Sequence, residues 1–202
     1  MLVIAHRGSS WDEPENTLPA FERAIADGAD YVELDVRADR AGRLVVTHDP
    51  PRPGREYPLL EEVLDLCRGR IPVMAELKTP RRYRRHDVVR RTVELLDDGD
   101  VVLCFQRAAL DEARALRPAL RTMQHVGYGV SIRRAAGAWA AGFSNERTTG
   151  RGLAAARALG LETAVYTVNE PGRMLELERL GAGAIFTDRP ALALQALRRP
   201  SE

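Results

Sequence analysis

The chain has 202 residues, of which 45% are hydrophobic and 29% charged, with a formal net charge of +1. This length suits a single domain over residues 1–202 with a real core, and the near-neutral balance argues against a strongly basic nucleic-acid binder. Two cysteines, Cys67 and Cys104, make neither a disulfide framework nor a zinc site, and no stretch approaches the roughly 20 apolar residues of a membrane span. The apolar run in "MLVIAHRG" is too short for a signal core, so the expectation is a water-soluble cytoplasmic protein.

Strand-like runs recur along the chain: "LVIAH" (2–6), "YVELDV" (31–36), "LVVTH" (44–48), "PVMAEL" (72–77), "VVLCF" (101–105), "RTMQHV" (121–126), "GFSN" (142–145), "ETAVYTV" (162–168) and "GAIFTD" (183–188). Between most of them lie segments of helical period, such as "TLPAFERAIADG" and "GRMLELERLG", several ending in glycine, a frequent helix terminator. Alternating strands and helices argue for a parallel sheet, and this many units argue for a TIM (β/α)8 barrel at the small end of its size range. One link does not fit. Val36 and Leu44 are separated by seven residues, too few for a helical crossover between parallel strands. Residues 44–48 are therefore an extra strand, or that crossover is a bare loop. The Arg-rich run "RRYRRHDVVRR" (81–91) reads as a solvated face, and its sharper reading is an attraction site for an anionic substrate or lipid.

Side chains alternate along a strand, so Glu33 and Asp35 of "ELD" share one face, and Glu76 and Lys78 of "AELK" share another. Three carboxylates converging from two strand ends repel one another and are costly to bury unpaired. A hard divalent cation, Mg²⁺ or Ca²⁺, relieves both problems. His6 and His48 also end apolar strands, and two imidazoles beside a carboxylate trio suggest an acid–base pair. Arg7 and Lys78 each offer a cation for an anionic oxygen. This set suits cleavage of a phosphate ester. The remaining histidines lack that context. His86 is expected at the surface, and His125 is expected to pack rather than to line the mouth.

The ordered motifs "HRG…ENT…GAD…ELDV…HD", "AELK" and "YTVNEP…LGAGAIFTDRP" resemble the glycerophosphodiester phosphodiesterase family over residues 3 to about 194. The resemblance implies a TIM barrel that uses a divalent metal to hydrolyse a small glycerophosphodiester to sn-glycerol 3-phosphate and an alcohol. It makes His6 and His48 the acid–base pair and Glu33, Asp35 and Glu76 the metal ligands. Arg7 and Lys78 become phosphate contacts, Glu15 and Asn16 flank the site, and Tyr166 stands where the family often has Trp and lines the pocket. The expected reaction passes through a cyclic phosphate that water then opens.

Family members usually carry a substantial insertion after the "HD" motif. Here only "PPRPGREYP" separates Asp49 from "LLEEVL", which implies a more open site. Two alternatives stand beside this reading. One is lysophospholipase D-like or phosphoinositide phospholipase-like cleavage of a lipid. The other is a non-catalytic barrel that binds a phosphorylated ligand, against which the intact set of His and carboxylate positions argues. The leaving alcohol and the oligomeric state are not specified by these motifs.

Overall fold

The short apolar runs become strands, and a computed structural model describes residues 1–127 and 131–197. In chain order the strands are Leu2–Ala5 (β1), Tyr31–Ala38 (β2), Leu44–Val46 (β3), Val73–Leu77 (β4), Val101–Cys104 (β5), Arg121–Val126 (β6), Ala140–Ser144 (β7), Glu162–Tyr166 (β8) and Ala184–Thr187 (β9). All but β3 run parallel, and β1 pairs with both β2 and β9, so the sheet closes into the expected barrel. Helices Leu18–Asp27 (α1), Leu60–Cys67 (α2), Val88–Leu95 (α3), Arg107–Leu116 (α4), Gly150–Ala158 (α5), Pro171–Arg179 (α6) and Pro190–Leu197 (α7) connect or follow the strands.

The seven-residue link is a hairpin. β3 runs antiparallel to β2, pairing Val36 with Val46 and Ala38 with Leu44. The Asp39 N–H donates to the Arg43 carbonyl at 3.0 Å, which closes the turn. The crossover from β2 to β4 is made afterwards by α2. Of residues 142–145, the first three belong to β7, a full barrel strand that begins at Ala140, and Asn145 opens the 3-10 turn that follows it.

Period-two alternation builds two cores from the same strands. Ile4, Met74, Leu103, Met123, Ala164 and Phe186 are buried in one cluster, which fills the barrel. Val32, Leu34, Val36, Val73, Ala75 and Leu77 join the cluster that packs under the helices. Each large side chain buried in this way contributes about 1.5–3 kcal/mol. The interior series does not stay apolar along the strands. Two positions on from Ile4, Met74, Met123, Ala164 and Phe186 stand His6, Glu76, His125, Tyr166 and Asp188. The C-terminal end of the barrel is therefore lined by polar groups on rigid supports.

The first loop is held by local chemistry. Gly8 has φ +83°, and a Cβ there would lie 2.6 Å from the Ala20 backbone carbon, so the loop crosses α1 only with glycine at that point. Thr17 caps α1, its hydroxyl accepting from the Ala20 N–H. Gly28 ends the helix in the left-handed region. Among the described residues no helix is long and apolar enough to cross a membrane.

Candidate active site

The "HRG" turn leaves β1 with Arg7 in the left-handed region, at φ 59°. This aims the Arg7 N–H at Glu33, whose Oε2 accepts it at 3.0 Å. The Arg7 guanidinium donates to Glu15 at 2.7 Å and lies 3.1 Å from Asp35. Asn16, also left-handed, donates its backbone N–H to the Arg7 carbonyl. Its side chain both donates to Asp35 Oδ2, at 2.8 Å, and accepts the Asp35 N–H, at 3.2 Å. The "ENT" motif thus staples the first loop onto β2.

Glu33, Asp35 and Glu76 are buried, with one oxygen from each lying within 4.8 Å of the others. Lys78 Nζ bridges Asp35, at 3.0 Å, and Glu76, at 2.8 Å. Burial pushes the Glu33 and Glu76 carboxyls up, and the nearby Asp35 charge adds to both shifts. Burial also acts on Asp35, but Lys78, Arg7 and the Asn16 hydrogen bond outweigh it and hold that carboxyl low. Two protein cations, Arg7 and Lys78, face three carboxylates. A buried, all-oxygen donor set with surplus negative charge fits a hard divalent cation.

His6 stands at the end of β1. Its Nδ1 lies 2.7 Å from Asp188 Oδ1, just past β9. Asp188 is itself held by Asn169, at 2.6 Å, and Ser10, at 3.1 Å. These partners keep the Asp188 carboxyl low despite its burial. An ionised carboxylate only accepts, so Nδ1 carries the proton and Nε2 is left for chemistry. Burial alone would lower the His6 pKa, yet Asp188 and Glu33 outweigh it and leave it raised.

His48 follows β3 and is 40% exposed, with its ring Nδ1 3.2 Å from Asp49 Oδ1. Partial burial lowers its pKa, and the positive charges of Arg7 and Lys78 add to that. Its backbone is held more firmly than its ring. Arg37, buried on β2, donates twice to the His48 carbonyl, at 2.8 and 2.6 Å, and once to Thr79 Oγ1, at 3.1 Å.

The structure therefore brings His6, Arg7, Glu15, Asn16, Glu33, Asp35, Glu76 and Lys78 into one connected cluster, and His48 faces it across Arg7 and Lys78. Tyr166 lies beyond Glu76, its ring 4.5 Å from His125. His125 packs, as expected. It is buried at the mouth, with Nε2 3.9 Å from Glu76 Oε2, and its ring packs against Phe105 at 4.7 Å. Burial first, then Lys78 and His6, push its pKa down to about 3, so it is a neutral wall rather than a third acid–base group. Asp188, Asn169 and Arg37 also went unassigned. Asp188 and His125 carry a legible signal, since each lies two residues beyond an apolar interior position. Arg37 likewise continues the face of Glu33 and Asp35.

The chain is similar to known proteins over nearly its whole length. The sequence model of the glycerophosphoryl diester phosphodiesterase family matches residues 6–68 and 53–192. The two segments overlap over residues 53–68, the end of the loop after His48 together with α2. The glycerophosphodiester phosphodiesterase of Bacillus altitudinis is 26% identical over 250 aligned positions, covering 96% of each chain. That of Caldanaerobacter subterraneus is 60% identical over 48 residues, 24% of this chain and 20% of that one. Among solved structures, a glycerophosphodiester phosphodiesterase from Parabacteroides distasonis superposes with a TM-score of 0.84 at 25% identity, covering 96% of this chain and 95% of that one. An Oleispira antarctica phosphodiesterase in complex with the product sn-glycerol-3-phosphate gives 0.87 at 22% identity, over 98% and 96% of the chains.

Proposed function

The chain belongs to the glycerophosphoryl diester phosphodiesterase family, and we propose that it hydrolyses small glycerophosphodiesters to sn-glycerol 3-phosphate and an alcohol, with Mg²⁺ or Ca²⁺ held by Glu33, Asp35 and Glu76. The observation that carries this reading is the placement of His6, with its Asp188 partner, and of His48 around one buried carboxylate trio. When bound, the cation supplies Lewis-acid charge for the oxygens on which negative charge develops.

The chain's own residues do the rest. Arg7 and Lys78 set positive charge beside the phosphoryl group. Glu15 and Asn16 hold Arg7 and Asp35 in place, and Tyr166 walls the pocket. His48, whose imidazolium is disfavoured by Arg7 and Lys78, takes the proton of the glycerol 2-hydroxyl as that oxygen attacks phosphorus. His6, whose imidazolium is favoured by Asp188, protonates the departing alcohol. Water then opens the cyclic diester with the two roles reversed.

The direct test measures glycerol 3-phosphate release from glycerophosphocholine by metal-stripped protein. Release is expected to be absent without metal and restored by Mg²⁺ or Ca²⁺. No release with either ion, and release from lysophosphatidylcholine instead, would replace this substrate assignment with the lipid reading.

Arg37 has a positioning role in this scheme. Its two hydrogen bonds tie the His48 backbone to the strand that carries Glu33 and Asp35. Arg37→Met is expected to lower kcat on glycerophosphocholine by about 10²-fold, the cost of a small misplacement of a reacting group. KM should change little, and Arg37→Lys should recover part of the loss. Steady-state kinetics on the two variants check this; an unchanged kcat in Arg37→Met would remove the role.

A further inference from the structure

A second concave surface lies beside the mouth, between the β2–β3 hairpin and the 3-10 helix Pro80–His86. It is a cleft of about 280 Å³, bordered by Pro50 and Pro51 immediately after His48 and Asp49. Arg40, Arg82, Arg85 and His86 all line it. Among the described residues, the side chains of Arg40 and Arg82 make no hydrogen bond or ion pair. Arg85 donates only to the His86 ring, at 3.0 Å. The single carboxylate at the cleft, Asp39, is already taken by Arg43 at 2.8 Å.

Several arginines elsewhere on the surface pair with an acid three or four residues away, as Arg68 with Asp65 and Arg173 with Glu176 do. Three guanidiniums gathered in a concavity whose one acid is already paired repel one another and raise the local positive potential. Their planar forks match phosphoryl oxygens in particular. The walls are also fixed rather than loose. The Arg91 guanidinium donates to the Gly42 carbonyl at the hairpin tip, at 2.6 Å. Tyr83, on the same cleft, reaches Arg37 at 3.5 Å, and Arg37 holds the His48 carbonyl. The cleft is therefore linked through Tyr83 and Arg37 to the backbone of His48.

We propose that this cleft binds a phosphoryl anion presented next to the scissile diester, carried either on the diester substrate itself or on a lipid headgroup. The part that concerns substrate choice rests on the proposed diester hydrolysis. The phosphoryl site itself does not.

The test compares the wild-type enzyme with the Arg40→Gln/Arg82→Gln/Arg85→Gln variant. These exposed positions tolerate neutralisation without loss of fold. Two substrates that differ by one phosphate, glycerophosphoinositol 4-phosphate and glycerophosphoinositol, give the first readout. The wild type is expected to prefer the phosphorylated diester in kcat/KM by about tenfold, the worth of one charge-assisted hydrogen bond. The variant should lose that preference, with its rate on glycerophosphoinositol unchanged. The second readout is co-sedimentation with phosphatidic acid vesicles against phosphatidylcholine vesicles. Selective binding that the variant loses assigns the anion to a lipid headgroup. Should neither diester be cleaved, the hydrolytic reading fails, and the vesicles together with calorimetric titration of inorganic phosphate still decide the cleft. Equal behaviour of wild type and variant in every one of these measurements overturns the proposal.

Discussion

His6→Ala and His48→Ala are each expected to lower kcat on glycerophosphocholine by roughly 10²- to 10⁴-fold, the contribution of a positioned acid or base. The two losses should differ in character. His48 is 40% exposed and its ring Nδ1 lies 3.2 Å from Asp49 Oδ1, so its removal should change stability by less than about 0.5 kcal/mol. His6 is tied to Asp188, and Asp188→Asn isolates what that tie does. Asp188 favours the imidazolium and raises the His6 pKa. Without the carboxylate the pKa falls, so the acid form is lost at lower pH and the alkaline limb of kcat/KM moves down. A purely structural role for Asp188 would lower the rate without moving that limb. If both alanine variants kept most of their activity, the two-histidine scheme would be wrong.

Glu33→Gln is expected to separate activity from stability. The variant keeps an oxygen for the Arg7 N–H but removes one of three buried carboxylates. Losing a metal ligand forfeits several kcal/mol of charge stabilisation, which corresponds to a loss of about 10³-fold or more in kcat. The metal-free protein should nevertheless melt higher than the metal-free wild type, because the charge that Asp35 and burial oppose is gone. In the wild type, metal at about a hundred times its Kd adds about 2.7 kcal/mol. At this chain length that is a rise of roughly 5–10 °C in Tm, and in the variant most of it should vanish. Thermal scans of both proteins with chelator and with Mg²⁺ or Ca²⁺ measure all four states. A metal-free variant that melts below metal-free wild type would show that the three carboxylates do not strain the fold.

The hairpin at β2–β3 marks the limit of reading a chain by local pattern. The seven residues between Val36 and Leu44 exclude a helical crossover, since that limit is set by chain length alone. They do not choose between a bare loop and an antiparallel strand, because the choice depends on whether β2 has a free edge above the barrel. His125 shows the same limit from the side chain. Its strand is legible, but its burial against Glu76, Phe105 and Tyr166 comes from four strands closing around it.

By itself the sequence determined the parallel α/β barrel, the two strand-end histidines and the convergence of Glu33, Asp35 and Glu76. These follow from alternation along each strand and from the ordered motifs, which are properties of short stretches of chain. Only the tertiary structure decided that Asp188 partners His6 across 182 residues, that Arg37 holds the His48 carbonyl, and that Arg40, Arg82 and Arg85 share one cleft. The reason is ring closure: β9 lies against β1 only once the intervening strands have each paired in register, so no local pattern contains those contacts.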